Sequence, residues 1–306
     1  MRPLKNPCEV AVIGAGLAGL TAARHVARLG RMVTLFERSG LFGGLVATIG
    51  EVDGIPVPGK FSGQDLAIHL LEDARKVAVS VVQTGISRME LGETLSLTDE
   101  ESRTYRPEAV IVASGASLRK LGVAREEELV GRGVSRCATC DGMFFRGQNV
   151  VVVGGGDGAV HEALVLAKTS KRVIMVCRSP LKAKRDYIEK LAARDNVTFI
   201  WDSEVSEILG EDGVSGVRVR NLKNGQISDV ECAGLFPFIG STPNTEFVPG
   251  ALRTATGHVR TDQGLATADS RVFAVGAARA AYGGNLVEAM AEGVSAAEAV
   301  ARLLVH

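Results

Sequence analysis

Apolar residues recur along this chain in short unbroken runs, separated by stretches whose apolar positions follow helical spacing. Glu9 to Ile13 is one such run, short and continuous as a strand buried on both faces must be. Leu17 to Leu29 then carries small residues at helical spacing, and Met32 to Phe36 is a second strand, so the opening of the chain spells one βαβ unit. Gln64 to Val77 has the pattern of an amphipathic helix, and Ala109 to Ala113 is a further buried strand running into Ser114-Gly115. After Gly147 the pattern restarts, with strand Asn149 to Val153, helix Gly158 to Thr169 and strand Arg172 to Val176. The chain therefore contains a weak internal repeat of α/β character.

Two segments break the pattern. Ser117 to Val123 and Gly240 to Glu246 read as linkers, the second a cluster of Gly, Ser, Thr, Pro and Asn. Between them lies a unit of about 120 residues. The flanking parts must then pack together, which makes the central unit an insertion. An insertion requires only that its two ends lie close together, as domain termini often do. At 306 residues the chain has room for two domains with cores of their own.

Formal net charge is zero, so no basic field points to nucleic acid or to an anionic membrane surface. Small molecules and proteins are the expected partners. Arg2 and Lys5 ahead of the apolar stretch from Val10 to Ala23 have the outline of a signal peptide, but the glycines inside it stand at the spacing of a strand turning into a helix. No stretch reaches the ~18 apolar residues of a membrane span. The five cysteines, at 8, 137, 140, 177 and 232, are few, odd in number and mostly isolated, which argues against a secreted disulfide scaffold and for a cytoplasmic setting.

The chemistry is concentrated in three places. The first is Gly14-Ala15-Gly16-Leu17-Ala18-Gly19, with Glu37 at the end of the next strand. Gly14 permits the tight turn, Gly16 lets backbone approach a pyrophosphate, Gly19 lets helix and strand pack, and Glu37 can accept from ribose hydroxyls. The second is Gly154-Gly155-Gly156-Asp157-Gly158-Ala159, with Ala159 in the third small position. At the spacing where the first has Glu37, the second has Cys177 followed by Arg178, which suits a 2′-phosphate and so NADPH. Lys182, Lys184 and Arg185 are further candidates for that phosphate. The expected fold is α/β, two Rossmann-like dinucleotide-binding domains. The second, 121–242, is inserted into the first, 1–117 and 246–306.

The third place is Cys137-Ala138-Thr139-Cys140-Asp141-Gly142. Two cysteines three apart can close into a reducible disulfide, and the adjacent acid can supply and collect the proton of thiol chemistry. The rivals are a structural metal site and two unremarkable thiols. A tetrahedral zinc would need two more ligands, and neither the other cysteines nor the histidines form a second paired cluster, so the reading is redox, with no metal.

With these runs, and with Gly43-Gly44, Ala113-Ser114-Gly115-Ala116 and Gly131-Arg132-Gly133-Val134-Ser135, nearly the whole chain resembles the bacterial-type low-molecular-weight thioredoxin reductases. The resemblance implies FAD in the first site, held by Gly14, Gly16, Leu17, Ala18, Gly19, Glu37, Gly43, Gly44, Leu45, Ala113, Ser114, Gly115, Gly276, Ala277, Asn285 and Leu286. It implies NADPH on Gly154, Gly156, Asp157, Gly158, Ala159 and Arg178, a three-layer ββα form for both domains, and a homodimer. Cys140 would face the flavin, Cys137 would attack the disulfide of thioredoxin or a similar protein, and Asp141 would be the acid and base. Family members alternate between reduction and delivery by rotating the inserted domain on its linkers. Met143-Phe144-Phe145-Arg146 offers surface for a partner, with core packing as the other use of the phenylalanines.

The departures are specific. The family's Gly-Asp near the C-terminus reads Gly276-Ala277, and its Arg-Gln before the last helix reads Asn285-Leu286. Asn285 can cap a helix running to about Leu304, with Glu288 in a capping-box position. Gly-Gly-Gln reads Gly43-Gly44-Leu45, and an asparagine is replaced by Gly54; each change removes a hydrogen bond worth ~1 kcal/mol. The arginines that grip the 2′-phosphate are reduced to Cys177-Arg178-Ser179 and Ala183. The sequence thus predicts an NADPH-dependent disulfide reductase. The alternatives are a flavin disulfide oxidoreductase fed by ferredoxin or another donor, a dithiol oxidase, and a redox sensor or binding module that keeps the fold with little turnover.

Overall fold

The structure is a computed structural model that describes residues 8–40, 42–50, 52 and 61–305. Arg2, Lys5 and Gly54 lie outside the described residues. The chain divides into two compact units, one of Met1–Ser117 with Thr242–His306 and the other of Leu118–Ser241.

In chain order the elements begin with β1 (Val10–Ile13), α1 (Leu17–Arg28), β2 (Val33–Phe36), α2 (Gly63–Lys76) and β3 (Ser80–Val82). Next come β4 (Ile86–Glu90), β5 (Ser96–Asp99), β6 (Thr104–Tyr105) and β7 (Ala109–Val112). Strand β8 (Ala116–Leu118) leads out of the first unit. The second holds α3 (Ala138–Asp141), β9 (Asn149–Val153), α4 (Asp157–Leu166), β10 (Arg172–Cys177), α5 (Arg185–Ala192) and β11 (Val197–Trp201). It continues through β12 (Ser203–Leu209), β13 (Gly216–Asn221), β14 (Ile227–Glu231) and β15 (Gly234–Pro237). Strand β16 (Ser241–Pro243) leads back, pairing with β8, to β17 (Val272–Ala274) and α6 (Leu286–Leu303).

The first unit is built on a parallel sheet of order β17-β7-β1-β2-β3. Because side chains alternate along a strand, Val10, Val12, Leu35 and Ile111 face one way and Ala11, Ile13, Val110 and Val112 the other. The first set packs with Leu20, Val26, Ala296 and Val300 of α1 and α6, and the second with Ile86, Met89, Leu97 and Tyr105 of the antiparallel β4-β5-β6 meander. Helices, sheet and meander make three layers. Each fully buried Val, Leu or Ile stabilises the stack by ~1.5–3 kcal/mol.

The second unit repeats the plan on the parallel sheet β11-β10-β9-β15. Val150, Val152, Val173 and Met175 meet the helices, whereas Val151, Val153, Ile174 and Val176 meet the β12-β13-β14 meander through Val205, Val217 and Val219. Strand and helix positions agree with the sequence reading to within one to three residues; α4 stops at Leu166, and its last turn closes through Lys168 and Thr169 amides three residues back.

Helix ends follow local chemistry. Ser62 and Asp65 form a reciprocal capping box at α2. Asn285 Oδ1 caps α6 by accepting from Glu288 N at 2.8 Å. Glu288 does not complete the expected box. Its carboxylate accepts instead from Asn285 Nδ2 and from Gly283 N, because the glycine loop brings that amide within 3.0 Å. No described helix is long and apolar enough to cross a membrane.

Candidate functional site

The first cradle lies where β1 turns into α1. Gly14 has φ +103°, and a Cβ there would stand 2.5 Å from the Ala113 carbonyl oxygen, so no side chain fits. A Cβ on Gly19 would come within 1.9 Å of Gly14 O, which is the helix–strand approach the third glycine serves. Gly16 is different: a Cβ there would meet nothing closer than Gly43 O at 4.0 Å, and no side chain caps α1. The helix start therefore presents open space and uncapped amides, as a pyrophosphate requires. Ser114 Oγ is buried with no protein partner beside this turn. These features fit a bound dinucleotide.

Glu37 is braced on both sides. Its Oε2 accepts from Ala15 N at 2.7 Å, and its Oε1 from Ser39 N and Oγ at 2.8 and 2.9 Å. Gly43 N donates to Ala15 O at 2.8 Å, which sets Gly43 and Gly44 against the fingerprint, while Leu45 is exposed. Ala113 and Ser114 lie against Gly14, and a Cβ on Gly276 would stand 3.2 Å from Ala18 Cβ. The structure so brings together Gly14 to Gly19, Glu37, Gly43, Ala113, Ser114 and Gly276. Leu286 starts α6 behind its Asn285 cap. Ala277 offers no carboxylate, but Glu292 of α6 reaches the same turn: its Oε2 accepts from Gly276 N at 2.7 Å and its Oε1 pairs with Arg279.

The second cradle, between β9 and α4, repeats the first. A Cβ on Gly154 would meet Phe238 O at 2.2 Å, one on Gly156 would meet nothing, and no side chain caps α4. Asp157 and Gly158 open the helix, and Ala159 is buried. The loop after β10 folds back onto this fingerprint, with Lys182 N donating to Gly155 O and Lys184 N to Asp157 Oδ1, both at 2.7 Å.

Cys177, at the position of Glu37 in the first cradle, is buried and donates its thiol to Gly154 O at 3.2 Å. Burial pushes its pKa up to about 11, so it stays neutral and grips no ribose. Arg178 is exposed but engaged, its Nη2 lying 3.0 Å from Glu204 Oε2, and the same carboxylate accepts from Arg220. Arg220 and Arg178 hold the Glu204 carboxyl below the ordinary range.

The dithiol sits in the second unit. Cys137 and Cys140 are joined as a disulfide, with Cys137 at the N-cap of α3 and its sulfur accepting from Cys140 N at 3.0 Å. Cys137 is buried and Cys140 exposed. Buried Ser135 organises the turn: its Oγ accepts from Cys137 N at 3.1 Å and donates to Asp141 Oδ2 at 2.6 Å. Glu162 of α4 accepts from Ala138 N at 2.6 Å. Met143 and Phe144 stand exposed just beyond, whereas Phe145 packs edge-on against Phe236.

Sequence reasoning passed over Ser135, Glu162, Glu204, Arg220 and Glu292. Glu162 and Glu292 carried a signal, each as a charge among the apolar and small positions of its helix face, and Ser135 stood in a run that matches the family. Among the described residues, no group of three or more His, Cys, Asp or Glu side chains could hold a metal ion.

Two dinucleotide cradles and a disulfide flanked by an acid define a flavin-type dithiol oxidoreductase. The chain belongs to the pyridine nucleotide-disulphide oxidoreductase family, whose model matches residues 8–293, and within it to the low-molecular-weight thioredoxin reductases. It is 33% identical to the thioredoxin reductase of Treponema pallidum over 300 residues, 97% of each chain. It is 38% identical to that of Streptomyces coelicolor over 247 residues, 80% of this chain and 77% of the relative. The structure of Lactococcus lactis thioredoxin reductase superposes with a TM-score of 0.91 at 32% identity, covering 96% of this chain and 98% of that one.

Proposed function

We propose that the chain passes electrons from NADPH, through FAD, to the Cys137–Cys140 disulfide and on to thioredoxin or a similar protein disulfide. The observation that carries this reading is the closed disulfide beside Asp141, in the unit that also holds the second cradle. Bound FAD would supply a two-electron carrier between a hydride donor and the disulfide. Gly16 and the amides of Leu17 and Ala18 would hold its pyrophosphate, and Glu37 its ribose.

Once the pair is reduced, the Cys137 thiolate attacks one sulfur of the substrate disulfide, forming a mixed disulfide and releasing the other sulfur as a thiolate. Cys140 then attacks Cys137 Sγ, which closes the pair and releases the second substrate sulfur. Two electrons and two protons pass to the substrate, and Asp141, aimed by Ser135, takes a proton from the attacking thiol and returns it to the leaving one. Met143 and Phe144 provide the apolar surface on which a protein substrate docks. The active species is a cytoplasmic homodimer.

Anaerobic addition of NADPH, then NADH, to the FAD-bound protein tests the reading. Rapid flavin bleaching followed by thioredoxin reduction is expected; no bleaching by either nucleotide would sink it. Cys140→Ser is expected to abolish thioredoxin reduction while flavin bleaching persists. The capture of Arg178 by Glu204 supports a second reading, in which ferredoxin or another carrier supplies the electrons or the pair runs as a dithiol oxidase.

A further inference from the structure

The face that α4 turns to the core is apolar except at one position. Ala159, Val160, Ala163 and Leu166 are buried there, and Glu162 among them is 8% exposed. A carboxylate in such a place is retained only with strong partners. Its Oε2 takes the amide of Ala138 at 2.6 Å, and its Oε1 lies 3.4 Å from His161 Nδ1. Ala138 is the first residue of α3, directly after Cys137, so the charge bears on the turn that presents the disulfide.

Reduction puts two electrons and two protons into the pair, breaks the S–S bond and leaves two thiols, one of which must ionise to react. Backbone amides at the start of a helical turn stabilise such a thiolate, as do nearby positive groups. Here one of those amides is occupied by a carboxylate, whose own charge lies 2.6 Å from the amide that follows Cys137. Both effects disfavour the thiolate. A dithiol whose reduced form is less stabilised gives up its electrons more readily.

We propose that Glu162 is a positioning residue of the dithiol site, which holds the first amide of α3 and keeps the Cys137–Cys140 couple strongly reducing. The proposal rests on the reading of that pair as the redox centre. It links the nucleotide-binding helix to the thiol chemistry through one buried charge.

Glu162→Gln tests it, since glutamine keeps the shape and still accepts from Ala138 N but lacks the charge. The FAD-bound protein is equilibrated in dithiothreitol redox buffers, and Cys137 and Cys140 are trapped by alkylation and counted by mass spectrometry. The expected result is an equilibrium shifted about tenfold towards the dithiol, equivalent to about 30 mV for a two-electron couple. The pH profile for alkylation of reduced Cys137 is expected to move to lower pH. Asp141 beside the pair and His161 beside Glu162 are the other ionisable groups at the turn and are common to both proteins, so the difference isolates Glu162. Glu162→Ala additionally strips the amide of its partner; a change in that variant with none in Glu162→Gln means a structural role alone and overturns the proposal. Identical equilibria and profiles in wild type and Glu162→Gln overturn it too. A wild-type pair that fails to cycle in the buffers overturns the redox-centre reading, and this inference with it.

Discussion

At the scale of single residues, partners decide what a charged or nucleophilic group does. Asp99 is buried, and burial by itself would raise its pKa. Donors from Arg103 and Tyr105 outweigh that and hold the carboxyl below its usual range, with the amides of Glu101 and Arg103 completing the set. Its contribution to stability is therefore present above the free Asp value near ~4 and drains away as pH falls through the folded value. Asp99→Asn is expected to cost about 2 kcal/mol at neutral pH, a difference from wild type that shrinks on acidification. Urea unfolding at a series of pH values checks both. The free thiols behave in the opposite sense. Burial pushes Cys8 up, Cys177 to about 11 and Cys232 to about 12. The native reduced protein is expected to yield only Cys137 and Cys140 to a thiol reagent at pH 8, with the other three reacting on unfolding. Stability held by the three neutral thiols is complete below the free thiol value near ~8.5 and is lost as pH rises through their folded values.

At the scale of elements, close approach and capping set the tolerances. Helix α6 crosses α1 at Gly293, where a Cβ would stand 2.6 Å from Ala18 O and 3.1 Å from Ala22 N. Gly293→Ala is expected to destabilise the first unit by ~1–3 kcal/mol, seen as a lower urea midpoint, because backbone cannot give way as a flexible side chain would. Ser62→Ala removes the cap of α2 and is expected to cost ~1 kcal/mol by the same measurement. The parallel strands and their helices were legible because each is a local run of one period. The two meanders were not. Bulges shift the register between Ile86 and Arg88 in β4 and between Val205 and Glu207 in β12, so the alternation that marks a half-buried strand is broken within the strand itself.

At the scale of the whole molecule, the same plan is used twice with one change of consequence at the tip of the second strand. Glu37 directly follows β2 as a braced acid, whereas β10 ends in buried Cys177 and is followed by an Arg178 already shared with Glu204. An exposed ion pair is worth at most about 1 kcal/mol, so Arg178→Ala is expected to lower the ratio of kcat/KM for NADPH over NADH by no more than about fivefold. Steady-state rates with both nucleotides measure it. Sedimentation is expected to give twice the 32.2 kDa of the chain.

The sequence alone determined the α/β plan, the two glycine cradles and the dithiol with its acid, since each is written within a stretch shorter than one βαβ unit. It also carried the departures, because Ala277, Leu45 and Ala183 are visible as missing groups. Which group takes up each remaining charge was decided only in three dimensions. Ser135 holds Asp141, Glu162 holds the amide behind Cys137, Glu204 holds Arg178 and Glu292 holds Gly276. Glu162, Glu204 and Glu292 each stand on a different element from the group they hold. Directional bonds across elements depend on distances that folding sets and that no spacing along the chain encodes.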